Sequence, residues 1–222
     1  MLNCYRARIG GHKINNKEFK VWISLIRNLG YKRYQRLIQG FNSKKALWNA
    51  SKEQLLKIEG IGKNLSEIIS NNEIKNDVKR HIQYMNNHSI DIISIEDKEY
   101  PLLLKNIDNP PICIYIIGRK EILNEANIAI VGSRDATEYG KYVAKDFAYK
   151  LSENGFNIVS GLARGIDSFA HIGAIKAKGN TIGVLGNGLD TIFPKENTKL
   201  AEEIIKTGGC IISEYPLGTR TW

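Results

Sequence analysis

The stretch Asn127-Ile128-Ala129-Ile130-Val131-Gly132-Ser133-Arg134 opens a pattern that recurs twice more before Asp190. An apolar, β-branched run stops at glycine and gives way to helical spacing, which reads as a buried strand feeding a helix. Phe156-Asn157-Ile158-Val159 breaks in the same way at Ser160-Gly161 and passes into a helix from Asp167 to Lys178. Thr181-Ile182-Gly183-Val184-Leu185 breaks at Gly186-Asn187-Gly188, and Cys210-Ile211-Ile212-Ser213-Glu214 reads as a fourth strand. Strands alternating with helices predict a parallel sheet with right-handed crossovers. Loops at the carboxyl ends of such strands gather on one edge and form the ligand site.

These loops suit an anion. Gly132, Gly161 and Gly186 allow close backbone approach, and a helix starting after a loop directs N–H groups and partial positive charge at a ligand. Ser133, Ser160 and Asn187 stand in the same loops, and Arg134 and Arg164 add planar donors for phosphate oxygens. The bland alternative is that the glycines only make tight turns and the arginines are solvated. Gly132 to Gly140-Lys141 has the wrong spacing for a nucleotide-hydrolysing phosphate loop, and Tyr142 stands where Ser or Thr would hold magnesium. Gly186-Asn187-Gly188 lacks the third glycine of a dinucleotide fingerprint. Neither serine has an evident base partner, so no nucleophilic triad can be argued. His171 reads as a structural histidine, and Asp167 as a helix cap or as the residue that orients Arg164. A phosphate cradle without catalytic apparatus, cofactor or metal is expected.

Five ordered motifs make the pattern specific: Val131-Gly132-Ser133-Arg134; Ser160-Gly161-Leu162-Ala163-Arg164-Gly165-Ile166-Asp167 with Ala170-His171; Gly186-Asn187-Gly188-Leu189-Asp190; Phe193-Pro194-Lys195-Glu196-Asn197; and Ser213-Glu214-Tyr215-Pro216-Leu217-Gly218. Together they closely resemble the DprA/Smf family of DNA-processing proteins. The resemblance implies a Rossmann-like, non-enzymatic binder of single-stranded DNA that assists loading of a RecA-type recombinase in natural transformation and recombination, with a homodimer possible in the full-length protein. It places the phosphate contacts at Gly132, Ser133, Arg134, Ser160, Gly161, Arg164, Gly186, Asn187 and Lys195, with Phe193 able to stack on bases. The alternative is a nucleotide-binding enzyme of the lysine-decarboxylase-like Rossmann group, whose glycine-rich run with adjacent catalytic glutamate is not visible.

Composition agrees with a polyanion partner. Residues 1–50 hold eleven Lys or Arg and one acid, Glu18, or 11 − 1 = +10, against +9 for the whole 222-residue chain. Everything beyond is therefore near neutral, which directs the polyanion to the amino-terminal part, unless that charge is only a solvated basic tail. No apolar run approaches the ~20 residues of a membrane span, and Met1 to Gly10 has no signal-peptide character, so a cytoplasmic protein is expected. Cys4, Cys113 and Cys210 are odd in number and far apart, arguing against a disulfide framework or a metal site.

The chain divides into a basic, disordered arm over 1–17, a small all-α domain over 18–90, a connector over 91–126 and the α/β part over 127–222. The helical part reads as a SAM-like fold: a helix from Phe19 to Leu29, short helices around Leu37 and Leu47, and a capping box at Ser51-Lys52-Glu53-Gln54. Gly60-Ile61-Gly62-Lys63 then resembles a helix-hairpin-helix. Gly60, Gly62 and Lys63 are a secondary DNA candidate through backbone N–H groups and one counter-charge, or else part of a purely structural hairpin. Ile90 to Ile95 alternates toward a strand and Ile112 to Ile117 reads as another, while the prolines of the connector limit its first part to turns or an edge strand. Because the motifs run out at Gly218, the sheet is expected to be truncated, with an apolar edge uncovered.

Overall fold

The computed structural model describes residues 14–220. Helix α1 (Asn16–Leu25) begins where the Asn15 side chain accepts from the Glu18 N–H while the Glu18 carboxylate accepts from the Asn15 N–H, a closed capping box. The basic arm expected over 1–17 therefore gives way to structure before Lys17, and residues 1–13 lie outside the described residues. The helix also stops short of Leu29: Ile26 is already extended (ψ 97°), and Asn28 then takes a left-handed turn (φ 59°). Then follow α2 (Tyr31–Gly40), α3 (Lys44–Trp48) capped by Ser43, α4 (Lys52–Leu56) started by the Ser51–Gln54 box, α5 (Lys63–Ser70), and α6 (Asn72–Asn87) capped by Asn71. Trp22 anchors them, edge-on to Phe19 and Trp48 with ring centroids 5.7 and 5.0 Å away.

The sheet that follows is mixed rather than purely parallel. Its elements are β1 (Ile90–Ser94), a short helix α7 (Leu102–Lys105), β2 (Cys113–Gly118), β3 (Asn127–Ala129), α8 (Glu138–Glu153), β4 (Asn157–Ser160), α9 (Ile166–Lys176), β5 (Thr181–Leu185), α10 (Thr198–Lys206) and β6 (Cys210–Ser213). The order is β1-β2-β6-β5-β4-β3. β3, β4, β5 and β6 run parallel, as the glycine-terminated runs predict. β2 lies antiparallel to β6, with Tyr115 opposite Ser213, and β1 lies antiparallel to β2.

The strands read at Ile90–Ile95 and Ile112–Ile117 join the sheet as β1 and β2 and extend it by two. They cover the β6 side, and the outer strands of the sheet are β1 and the three-residue β3. One expectation is corrected here. Pro101 opens α7 instead of a turn or an edge strand, a position where its missing N–H costs nothing.

Helices and sheet share one apolar core, running from Phe19 and Trp22 through Leu55, Met85 and Tyr115 to Ile211. Polar contacts cross the same seam, with the Ser24 and Tyr115 hydroxyls 2.5 Å apart and Lys20 paired with Asp97 at 2.6 Å. Cys113 and Cys210 are buried free thiols, each pushed up to about 12 by burial. Cys4 lies outside the described residues.

Candidate nucleic-acid interface

The loops at the carboxyl ends of β3 and β4 are knitted together by the first turn of α9. The buried Asp167 carboxylate accepts the Gly161 N–H at 3.0 Å and the Gly132 N–H at 3.4 Å. The Ile166 N–H donates to the Ser133 carbonyl at 3.2 Å. Gly165 makes this possible, for its φ is 73° and a Cβ there would lie 2.2 Å from that carbonyl oxygen. The backbone of Arg134 also abuts Gly165, which sets the two arginine loops side by side.

This arrangement corrects the cradle drawn from sequence. The amides of Gly132 and Gly161 and the first N–H of α9 are already satisfied by protein acceptors, and Thr137 caps α8 by accepting from the Gly140 N–H at 3.1 Å. Asp167 and the Ser133 carbonyl supply from within the protein the acceptors that a phosphate was expected to supply. Asp167 does not orient Arg164, which pairs instead with Glu196 at 3.4 Å.

Ser160 and Asn187 also turn inward. The Ser160 hydroxyl donates to the Ile130 carbonyl at 2.6 Å, and Asn187 Nδ2 donates to the carbonyls of Thr191 and Gly188 at 2.6 and 2.9 Å. Their role is to hold the loops in shape. Ser133 stays exposed, its hydroxyl oxygen accepting from the Asp135 N–H at 3.1 Å, and Gly186 is exposed with open space around it.

The groups left facing solvent are cations and aromatic rings. Arg134, Arg164 and Lys195 are exposed, and Phe193 is 48% exposed. Asn197 ties the Phe193–Lys195 loop to the Arg164 loop, with Nδ2 donating to the Leu162 carbonyl at 2.7 Å and to the Ser168 hydroxyl at 2.9 Å. Sequence reasoning passed over Tyr139 and Tyr142, which stand 77% and 66% exposed on the first turns of α8, and Tyr215 after β6. The available signal was three tyrosines and a phenylalanine crowded into one helix at positions the buried alanines leave outward. Such a surface offers rings for stacking and cations for anionic oxygens.

His171 is the expected structural histidine. Thr181 Oγ1 donates to the Ile158 carbonyl at 2.6 Å and therefore accepts from His171 Nδ1, 2.7 Å away. Burial pushes the imidazole down to about 4, so the ring is neutral and sealed from the surface. Among the described residues there is no cluster of metal-ligating side chains and no helix long and apolar enough to cross a membrane.

Gly60, Gly62 and Lys63 are exposed, but in a separate place. The helical part packs on β1 and β2 through α1 and α6, whereas Arg134 follows β3 at the other end of the sheet order, and no strand-end residue lines the groove at the hairpin. The hairpin glycines and the strand-end loops do not form one site.

Comparison with known proteins bears on this geometry. Residues 91–221 match the family model of DNA recombination-mediator protein A. Protein Smf of Synechocystis is 33% identical over 92% of this chain and 53% of its own length. The DNA processing protein DprA of Bacillus subtilis is 42% identical over 59% of this chain and 44% of its own. The chain thus spans about half the length of the curated relatives it matches. The X-ray structure of DNA processing protein A from Streptococcus pneumoniae superposes with a TM-score of 0.64 at 26% identity, covering 94% of this chain and 70% of that one. The Helicobacter pylori protein, whose structure describes a single-stranded DNA binding mode, superposes with a TM-score of 0.53 at 31% identity, covering 60% of this chain and 59% of that one. With the family model matching more than half of its length and the mixed six-stranded sheet matching the pneumococcal fold, the chain belongs to the DNA recombination-mediator protein A family, also called DprA or Smf.

Proposed function

We propose that this chain binds single-stranded DNA at the carboxyl ends of β3, β4 and β5. The observation that carries the reading is the set of exposed rings and cations on the segments that follow those strands: Phe193, Tyr139 and Tyr142 with Arg134, Arg164 and Lys195. Unstacked bases lie on aromatic faces without regard to sequence, while arginine and lysine follow the phosphates. Gly132, Ser133, Gly161 and Gly186 shape these loops, and Ser160 and Asn187 brace them from within. The 31% identical Helicobacter pylori relative supports the polymer class.

The protein acts as a binder rather than an enzyme in this reading, working in the cytoplasm without a cofactor. Its product is a protein–DNA complex that assists loading of a RecA-type recombinase in DNA uptake and recombination, with homodimerisation a property of the longer family members. Residues 18–90 form the helical domain of this assembly and 127–222 the Rossmann-like one.

The test is fluorescence anisotropy of a labelled oligo-dT with the parent, Phe193→Ala and Arg134→Ala. Each variant should bind at least tenfold more weakly, and affinity should fall with salt by ~0.7 log units per decade for each phosphate contact. Parental affinity in both variants, or a flat salt dependence, would remove the strand-end loops from the DNA site.

A further inference from the structure

The helical part carries a second charged surface that the single-strand reading leaves unused. Residues 27–63 contain nine Lys or Arg and two acids, Glu53 and Glu59, a net of 9 − 2 = +7. Ion pairs engage Arg36 with Glu59 (3.1 Å), Lys44 with Glu96 (2.9 Å) and Lys52 with Glu67. Arg27, Lys32, Arg33, Lys57 and Lys63 are exposed and have no ion-pair partner among the described residues.

Of these cations Arg33 and Lys57 line a groove of about 590 Å³ whose floor is the α4–α5 hairpin from Leu56 to Gly62, Glu59 included, with Arg33 on its wall, and Lys63 follows that floor directly in the chain. The wall is held in place. Arg36 donates to the Glu59 carbonyl at 3.3 Å, and its guanidinium lies so close to Gly60 (φ 81°) that a Cβ there would be 2.7 Å from it. At Gly62 nothing lies within 4 Å of a Cβ position, so the hairpin backbone is open to an approaching ligand.

The side chains around the groove decide what it accepts. Tyr34 is buried, Tyr31 and Phe41 are half-buried, and the one large apolar side chain exposed beside the groove is Leu56. A surface of cations without exposed rings recognises phosphates but has no platform for unstacked bases. A base-paired duplex presents its phosphates and hides its ring faces, which matches that chemistry.

From this complementarity we propose that the face formed by α2 and the α4–α5 hairpin is a sequence-independent docking surface for the phosphate backbone of duplex DNA. It stands apart from the strand-end loops, at the opposite end of the sheet order. The proposal does not rest on the single-strand reading. If both hold, the chain grips a junction between paired and unpaired DNA, with each region taking its own polymer.

The experiment titrates the full chain into a blunt labelled duplex and, separately, into labelled oligo-dT. In an Arg33→Ala, Lys57→Ala, Lys63→Ala variant, duplex affinity should drop at least tenfold and the salt slope by ~0.9 per lost phosphate contact. Oligo-dT affinity should change less than twofold. Gly62→Asp separates binding from folding: its φ of −85° suits aspartate, its side chain has room, and aspartate at this N-cap favours α5. That variant should keep or raise the unfolding midpoint while losing duplex binding at least tenfold. Parental duplex affinity in either variant overturns the proposal, as does an equal loss for both polymers. Duplex binding that instead follows Arg134→Ala also overturns it, leaving this face to an acidic protein partner.

Discussion

The strand-end loops and the α2–hairpin face are both rich in exposed cations, yet they are built in opposite ways. At the sheet edge the backbone is self-satisfied, with Asp167 closing on Gly132 and Gly161, and the outward chemistry belongs to side chains, among them the rings of Phe193, Tyr139 and Tyr142. On the helical face the rings are turned into the core and a bare glycine backbone lies open between lysines and arginines. The contrast teaches that positive charge alone does not choose a nucleic acid. Whether aromatic surface accompanies it decides between unpaired and paired strands.

The comparison is between two faces of one folded body, which the largest predicted effect tests directly. Trp22 is fully buried between Phe19 and Trp48, in a core continuous with β1, β2 and β6. Trp22→Ala should cost about 3–5 kcal/mol. It should lower a single unfolding transition seen alike by far-ultraviolet circular dichroism and by fluorescence of the remaining tryptophans, Trp48 and Trp222. Two separated transitions, with the sheet melting at its parental midpoint, would break the shared-core picture and make the faces independent modules.

Much of that body was legible in the sequence. Runs such as Thr181–Leu185 ending at glycine place β3 to β6 and their direction, and the Ser51–Gln54 box and Ser43 mark helix starts, because these signals act within a few residues. The partner of β6 was not legible. Cys113-Ile114-Tyr115-Ile116 reads as a strand, but only tertiary topology shows that it lies antiparallel against Cys210–Ser213 and covers that edge. The site follows the same division. Arg134 and Phe193, read as binding residues, face solvent, whereas Ser160, Asn187 and Asp167, read from the same motifs, face inward. Sequence names the loop but not the direction of a small polar side chain, which is set by whichever buried carbonyl or amide needs a partner.

Acid should act through the sheet side. His171 is buried and neutral, with a folded value of about 4 against the ordinary 6.5. Above pH 6.5 neither state is protonated, and between 6.5 and 4 only the unfolded chain takes up the proton. Stability should therefore fall by roughly 3 kcal/mol across that window and level off below it. The measurement is denaturant unfolding at several pH values for the parent and His171→Gln. The difference between their curves should be constant above pH 7 and shift by roughly 3 kcal/mol against the parent as pH falls to 4, and parallel curves would show that His171 carries no acid sensitivity.

Binding effects are expected to be smaller and one-sided. Arg134 stands outward beside Gly165, so Arg134→Ala removes a charge-assisted phosphate contact worth about 1.5–3 kcal/mol, or ten- to a hundredfold in oligo-dT affinity. Duplex affinity should stay within twofold. An equal loss for both polymers would merge the two faces into one electrostatic field and dissolve the comparison.

The smallest effect has the opposite sign. Arg164 and Glu196 form a pair at 3.4 Å with side chains 64% and 59% exposed, and pairs of that kind are worth only about 0.2–1 kcal/mol. A phosphate arriving between Phe193 and Arg164 must compete with the Glu196 carboxylate for the guanidinium and is repelled by it. Glu196→Gln removes both penalties while keeping a side chain of the same length, so oligo-dT should bind about two- to fivefold more tightly. The gain should shrink as salt is raised, since exposed charges are screened within about 10 Å at 0.1 M ionic strength. On the helical face the same substitution should leave duplex binding unchanged. Weaker oligo-dT binding in Glu196→Gln would mean that the carboxylate holds Arg164 in its binding orientation, and the pair would then be part of the site and not a competitor within it.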